Sequence, residues 1–95
     1  MIILQIEHAV PNFDGWKQAF DRDPINRKRS GVRRYHIFRP TDDPKYVLVH
    51  LEFDTLRDAE TTLAALRTLW GRVEGVMMFN PHTRILNVVE TVDIT

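Results

Sequence analysis

The sequence predicts an α+β fold in which one four-stranded antiparallel sheet carries two helices on one face, and three observations support this. Apolar residues alternate with period two in four separate stretches. Two further stretches repeat apolar residues at helical spacing. Along the chain these fall in the order strand, helix, strand, strand, helix, strand, so two strand-helix-strand halves stand in tandem.

Residues 2–10, IILQIEHAV, place Ile2, Leu4, Ile6, His8 and Val10 on one face and Ile3, Gln5, Glu7 and Ala9 on the other, as a strand requires. Pro11 ends this strand because proline has no ladder donor, and the Asn12 side chain can cap the helix that follows. Phe13, Trp16 and Phe20 recur at i, i+3 and i+7, while Lys17, Gln18 and Asp21 fill the opposite side, so the aromatic stripe must press on something apolar. Asp23-Pro24 interrupts the pattern, and the helix kinks or restarts there and ends near Ser30 and Gly31.

Residues 32–39, VRRYHIFR, and 46–53, YVLVHLEF, read as the second and third strands, joined by the turn PTDDPK. Pairing Arg39 with Lys45 would set Ile37 against Val47, Tyr35 against Val49 and Arg33 against Leu51. The other face of the hairpin then carries Arg34, His36, Phe38, Tyr46, Leu48 and His50, with the two histidines as diagonal neighbours. Thr55 and Asp58 resemble a capping box for a helix whose stripe is Leu56, Ala59, Leu63, Leu66 and Trp70. Gly71 and Gly75 fit the end of that helix. RVEGVMMFNPH is an apolar, irregular connection, and residues 84–92, RILNVVETV, form the last strand.

Right-handed crossovers interleave the two halves and put the third strand between the first and second, which is the ferredoxin-like βαββαβ arrangement in a single domain spanning residues 1–95. Both helices lie on one side of such a sheet and leave the other side bare. Phe38, Leu48, Leu86 and Val88 would make that bare side apolar, which predicts a second copy packed against it about a two-fold axis.

Composition narrows the function. Thirteen basic and thirteen acidic residues cancel, so net charge favours neither a nucleic-acid partner nor a membrane surface. The absence of cysteine removes thiolate chemistry, disulfides and cysteine-bound metals. MIILQIEH reaches a glutamate after a short apolar run and lacks a basic leader, so the expectation is a cytoplasmic protein. No P-loop, G-x-G-x-x-G, H-E-x-x-H or G-x-S-x-G signature is present.

HAVPNFDGWKQAFD, GVRRYHIFRPTDDPKYVLVHLEFDTLRDA and Pro81 before the last strand, together with the element order, make the chain resemble the dimeric α/β-barrel superfamily. That superfamily includes antibiotic biosynthesis monooxygenases, haem-degrading monooxygenases and polyketide cyclases, and the resemblance is strongest to its small uncharacterised members. It implies a homodimer that binds a small organic molecule between sheet and helices, with monooxygenase-like or cyclase-like action on an aromatic or polyketide-type compound and no cofactor. The competing reading is a non-enzymatic dimerisation or ligand-sensing module. Haem degraders of this kind use an asparagine on the first strand, a tryptophan and a histidine. Only Trp70 and His82 could match the last two here, and Gln5 and His8 stand where the asparagine would be.

The candidate catalytic groups are His8, His36 and His50, which lie on three neighbouring strands, because imidazole titrates near neutrality. No metal is expected: Glu7 and Glu52 are near these histidines in sequence, but alternation is read as turning both to the opposite face. Trp16, Phe20 and Trp70 are candidate pocket walls, with Tyr35 as a polar contact and Met77 in an adaptable lid segment. Trp16 and Phe20 serve equally as core. The basic run from Arg27 to Arg34 is read as a solvated helix end or an anion site. An enzyme needs open space between Trp16, Trp70 and the strands, whereas a structural module would fill it with Trp16, Phe20 and Leu63.

Overall fold

The computed structural model describes residues 1–95. Alternation in the first ten residues becomes strand β1 (Ile2–Ala9), and the aromatic stripe becomes helix α1 (Phe13–Asp21). Asn12 is the cap between them, its side-chain oxygen accepting the Gly15 N–H at 3.0 Å. The break at Asp23-Pro24 is a restart: Asp23 takes a positive φ, and a second short helix, α2 (Arg27–Ser30), follows. Next come β2 (Val32–Phe38), β3 (Tyr46–Phe53), α3 (Leu56–Val73) and β4 (Phe79–Asn87). The strand order is β2-β3-β1-β4, antiparallel throughout, as the ferredoxin-like reading requires.

The core lies between the sheet and the helices. Leu4, Ile6 and Val10 of the β1 segment and Val47, Val49, Leu51 and Phe53 of β3 meet Trp16 of α1 and Ala59, Leu63 and Leu66 of α3. Thr55 caps α3 by accepting the Asp58 N–H at 3.1 Å. Leu56, assigned to the buried stripe, is instead half exposed in the first turn of α3. Gly71 does not end α3, which continues to Val73. The turn that follows is made at Gly75, whose φ is +87°.

Two registers differ from the sequence reading. In the β2–β3 hairpin, Ile37 faces Val49 and Tyr35 faces Leu51, a slip of two residues from the expected pairing. Residues 39–45 all fall in the connection, where the Asp43 carboxylate accepts the Lys45 N–H at 3.0 Å. A slip of two preserves the facing of every side chain, so the two sides of the hairpin keep their predicted residues, and His36 now sits directly opposite His50. The last strand begins at Phe79 and ends at Asn87, in place of residues 84–92. It includes Pro81, which is tolerated because β4 is an edge strand and one row of its amides has no partner.

Gly31 fixes the junction of α2 with β2. Its φ is +97°, and its N–H closes α2 onto the Arg27 and Lys28 carbonyls. A Cβ there would lie 2.7 Å from Asp58 Oδ2 and 3.0 Å from Asp58 Cγ. Gly31→Ala is therefore expected to cost about 2 kcal/mol, combining left-handed backbone strain with a displaced Asp58 side chain. Denaturant unfolding of Gly31→Ala with and without Asp58→Ala separates the two, because only the steric part is relieved in the double variant.

Candidate functional site

A cavity of about 290 Å³ opens between the sheet and the helices. Ile6, His8, Val49 and Leu51 form its floor, Trp16 and Phe20 of α1 one wall, and Leu66 and Trp70 of α3 the other. Met77 and Met78, which follow α3, close one end, and Arg22, Pro24, Ile25 and Arg27 stand at the α1–α2 end. The space that a purely structural module would fill is open. Leu63, expected to help fill it, packs into the core beside it.

The aromatic row is continuous. Trp16 lies 5.8 Å from Phe13 and 5.2 Å from Phe20 between ring centroids, and Phe20 meets the Tyr35 ring edge-on at 5.1 Å. Arg27 locks the outer end: its Cζ sits 4.1 Å over the Phe20 ring and 5.0 Å from the Tyr35 centroid, and its Nη1 donates to the Phe20 carbonyl at 2.8 Å. Tyr35 supports the wall from behind and does not line the cavity. The functional residues that sequence reasoning missed are Arg22, Pro24 and Ile25, because the return of the chain through Asp23-Pro24 to the cavity rim has no local signature, and Arg27, read as part of a basic run, also lines that rim.

His8 is the polar group on the floor, 2 % exposed and edge-on to Trp16 at 5.9 Å. Its Nδ1 lies 3.1 Å from the Ala9 carbonyl oxygen. A carbonyl can only accept, so Nδ1 carries the proton and Nε2 keeps its lone pair. No buried side-chain nitrogen or oxygen is left unpartnered, so Nε2, which bonds to no protein group, opens onto the cavity. Burial pushes the His8 pKa below its ordinary value, against the smaller opposing pull of the bond to Ala9. The cavity therefore contains a neutral imidazole with a free acceptor among aromatic and aliphatic walls.

The three strand histidines do not converge. His8 faces the helices, whereas His36 and His50 stand on the opposite face of the sheet, because each lies an odd number of positions from a core residue of its own strand. Glu52, read as pointing away from the neighbouring histidine, shares the face of His50, two residues before it. It is 4 % exposed, accepts from Arg34 Nε at 3.0 Å and lies 3.6 Å from His36 Nδ1. His50 Nε2 donates to Gln5 Oε1 at 3.0 Å, and the Tyr46 hydroxyl donates to Glu7 Oε1 at 2.9 Å. The Tyr46 phenol is held above its usual pKa by desolvation first and by Glu7 second. This outer face is mixed in character: Ile3, Phe38, Leu48 and Leu86 are interspersed with polar groups that are largely paired with one another. No three histidine, aspartate or glutamate side chains come together to hold a metal ion.

His82 pairs with Glu7 across β1 and β4, so it too faces away from the cavity and is exposed. The tryptophan and histidine to which a haem-degrading site would point are thus on opposite sides of the sheet. No helix is long and apolar enough to cross a membrane.

No protein-family model matches the chain. No curated protein matches it in sequence either. Solved structures do match over nearly its whole length. SnoaB, a cofactor-independent oxygenase from Streptomyces nogalater, superposes with a TM-score of 0.74 at 12% identity, covering 96% of this chain and 95% of SnoaB. A dimeric ferredoxin-like protein from an uncultured marine organism gives 0.65 at 13% identity, covering 96% and 97% of the two chains. An arginine-to-serine variant of MhuD, with two manganese protoporphyrin IX molecules bound per active site, gives 0.68 at 16% identity, covering 98% and 99%. The chain has the ferredoxin-like fold of these proteins. At such identities the likeness establishes the fold and leaves the chemistry to the site.

Proposed function

We propose that the protein is a homodimeric, cofactor-independent oxygenase that acts on a small electron-rich aromatic compound held between the sheet and the helices. The observation that carries this reading is the free Nε2 of a neutral His8 in an otherwise aromatic and aliphatic cavity. Such a group can accept a proton from a phenol or from an activated C–H beside a carbonyl, and the apolar walls favour a flat apolar ring system. With an anthrone as substrate, Nε2 takes the methylene proton and the resulting carbanion reduces dioxygen and bonds to it. The imidazolium returns its proton to the peroxide, and loss of water carrying the second methylene hydrogen leaves the quinone, so one dioxygen is consumed per quinone formed, with one oxygen atom kept in the product and one released as water. The structural likeness to SnoaB, a cofactor-independent oxygenase, supports this class of chemistry.

Dimerisation through the outer sheet face belongs to the same reading. That face combines exposed Phe38 with Ile3, Leu48 and Leu86, and its polar groups are already paired within the sheet, so burying them strands few donors or acceptors. The likeness to a dimeric ferredoxin-like protein agrees with it. The test is oxygen uptake by the purified protein with anthrone, alongside quenching of Trp16 and Trp70 fluorescence. The expected result is saturable quenching with one dioxygen consumed per anthraquinone formed. Quenching without turnover would instead make the protein a ligand-sensing module, and neither signal would refute the pocket assignment.

A further inference from the structure

We infer that the cavity takes a fused-ring aromatic carboxylic acid and that Arg22 binds its carboxylate at the α1–α2 end. The inference rests on the oxygenase reading above and narrows the substrate class of that same site.

The cavity carries its charge at one end. No aspartate or glutamate lines it, and the two charged residues that do, Arg22 and Arg27, both stand where α1 gives way to α2. Arg27 is already engaged: its Nη1 donates to the Phe20 carbonyl at 2.8 Å, and its Nε lies 3.6 Å from Asp23 Oδ1. Arg22 is exposed, and its guanidinium enters no ion pair. Its two acidic neighbours in sequence are taken. Asp21 binds Lys17 Nζ at 2.6 Å, and Asp23 Oδ1 also accepts the Arg27 N–H at 2.8 Å. The dipole of α1 accounts for a cation at its C-terminus, but it does not account for one left unpaired at the mouth of an otherwise apolar cavity.

Charge along the chain points the same way. Residues 22–39 hold seven of the 13 arginines and lysines and one of the 13 acidic residues, so a chain with no net charge has a strongly positive stretch that begins at the cavity rim. Such a stretch raises the local concentration of an anion and speeds its encounter. One free guanidinium matches one negative charge, and its planar fork fits the two oxygens of a carboxylate. The aromatic row suits a ligand of more than one ring. Ring centroids step 5.9 Å from His8 to Trp16 and 5.2 Å from Trp16 to Phe20, and Arg27 Cζ lies 4.1 Å over the Phe20 ring. A fused-ring system lies along this row with its reacting carbon at His8 Nε2, while the acid projects from its other end to the Arg22 guanidinium. A carboxylate held at the exposed rim stays ionised, so it leaves Nε2 free for the C–H proton.

Isothermal titration calorimetry of the purified protein with 2-naphthoate and its neutral analogue 2-naphthamide tests this. Wild type should bind the naphthoate about tenfold more tightly, and added salt should erode that preference. Arg22→Gln, checked for native far-ultraviolet circular dichroism, should bind the two equally. Arg22→Lys should recover part of the preference, because it restores the charge without the fork. Equal binding of the two probes by wild type, or an undiminished preference in Arg22→Gln, overturns the anion site and leaves the apolar cavity and His8 standing. Binding of 2-naphthyl phosphate about tenfold or more tighter than the naphthoate overturns the assignment to a carboxylate. Binding of none of the three probes overturns the anion site together with the pocket reading on which it rests.

Discussion

Trp16→Ala should destabilise the protein by about 3 kcal/mol, at the lower end of the roughly 3–5 kcal/mol that large aromatic truncations cost. Trp16 is 8 % exposed and touches His8, Phe13 and Phe20, so its removal takes the middle member from the aromatic row that ties α1 to β1. The lower end applies because one side of the indole already borders open space, and fewer packed contacts are lost there than around a fully enclosed side chain. At about 4–8 °C per kcal/mol for a domain of this length, the melting temperature should fall by roughly 12–24 °C. Trp16→Phe keeps most of the ring contact and should cost about 1 kcal/mol. Guanidinium unfolding followed by circular dichroism distinguishes the two, and an alanine variant within 1 kcal/mol of wild type would show that the aromatic row does not hold α1 in place.

The same substitution probes the site, because α1 is both a core element and a wall of the cavity. Deleting the indole enlarges a space that already measures about 290 Å³ and removes the ring on which a flat ligand would rest. Binding of an aromatic probe should therefore weaken in Trp16→Ala even at temperatures where the fold persists, whereas Gly31→Ala, at a residue that does not itself line the cavity, should lower stability with a smaller effect on binding.

What the sequence made visible follows from which physical signals are local. Caps are local, and Asn12 and Thr55 bond where their side-chain chemistry says they should. Strand facing is local as well. Alternation alone puts His8 with Leu4 and Ile6 towards the helices and His36 with Phe38 away from them, so the separation of the histidines was already implicit in the pattern that first suggested they could meet. Register was less visible, since the turn between β2 and β3 could end at Arg39 or Phe38 without altering any local preference. Pro81 hid the start of β4, because proline marks a break unless the strand is an edge, and edge position is a property of the whole sheet. The alternation in residues 88–92 reads as strand from the sequence and finds no partner inside the chain, since β4 ends at Asn87.

The cavity was the least visible feature. Trp16, Phe20, Trp70 and Met77 appear in the sequence as apolar residues at suitable spacings, and nothing in that spacing distinguishes a wall from a plug. Open space arises because α1 stops at Asp21 and the chain turns through Asp23, Pro24 and Ile25 before α2. The rim is thereby formed by a loop and a cation, where a continuing helix would have laid further apolar side chains against the sheet.

His8→Phe should produce the largest functional change. A phenyl ring preserves the edge contact with Trp16 and most of the volume but removes both the bond to the Ala9 carbonyl and the free Nε2. At pH 8 the stability cost should be about 1 kcal/mol, the net contribution of one hydrogen bond. If Nε2 is the base, turnover of anthrone should drop by about 10²–10⁴-fold, the usual contribution of a positioned proton acceptor, with little change in probe binding. Acid should affect the two proteins differently. Because burial lowers the pKa of His8 from its ordinary 6.5, the unfolded chain takes up a proton at this residue below about pH 6.5 while the folded chain does not yet do so. The stability associated with neutral His8 is thus complete above that pH and declines as the pH falls below it, down to the lowered folded-state value. His8→Phe removes this component, so the difference in unfolding free energy between wild type and variant should shrink as the pH is lowered below about 6.5. The wild-type rate should fall along an acid limb lying below pH 6.5, and the residual activity of the variant should lack that limb. A variant that keeps wild-type turnover, or a pH-independent stability difference, would remove His8 from the role of base and leave the cavity as a binding site alone.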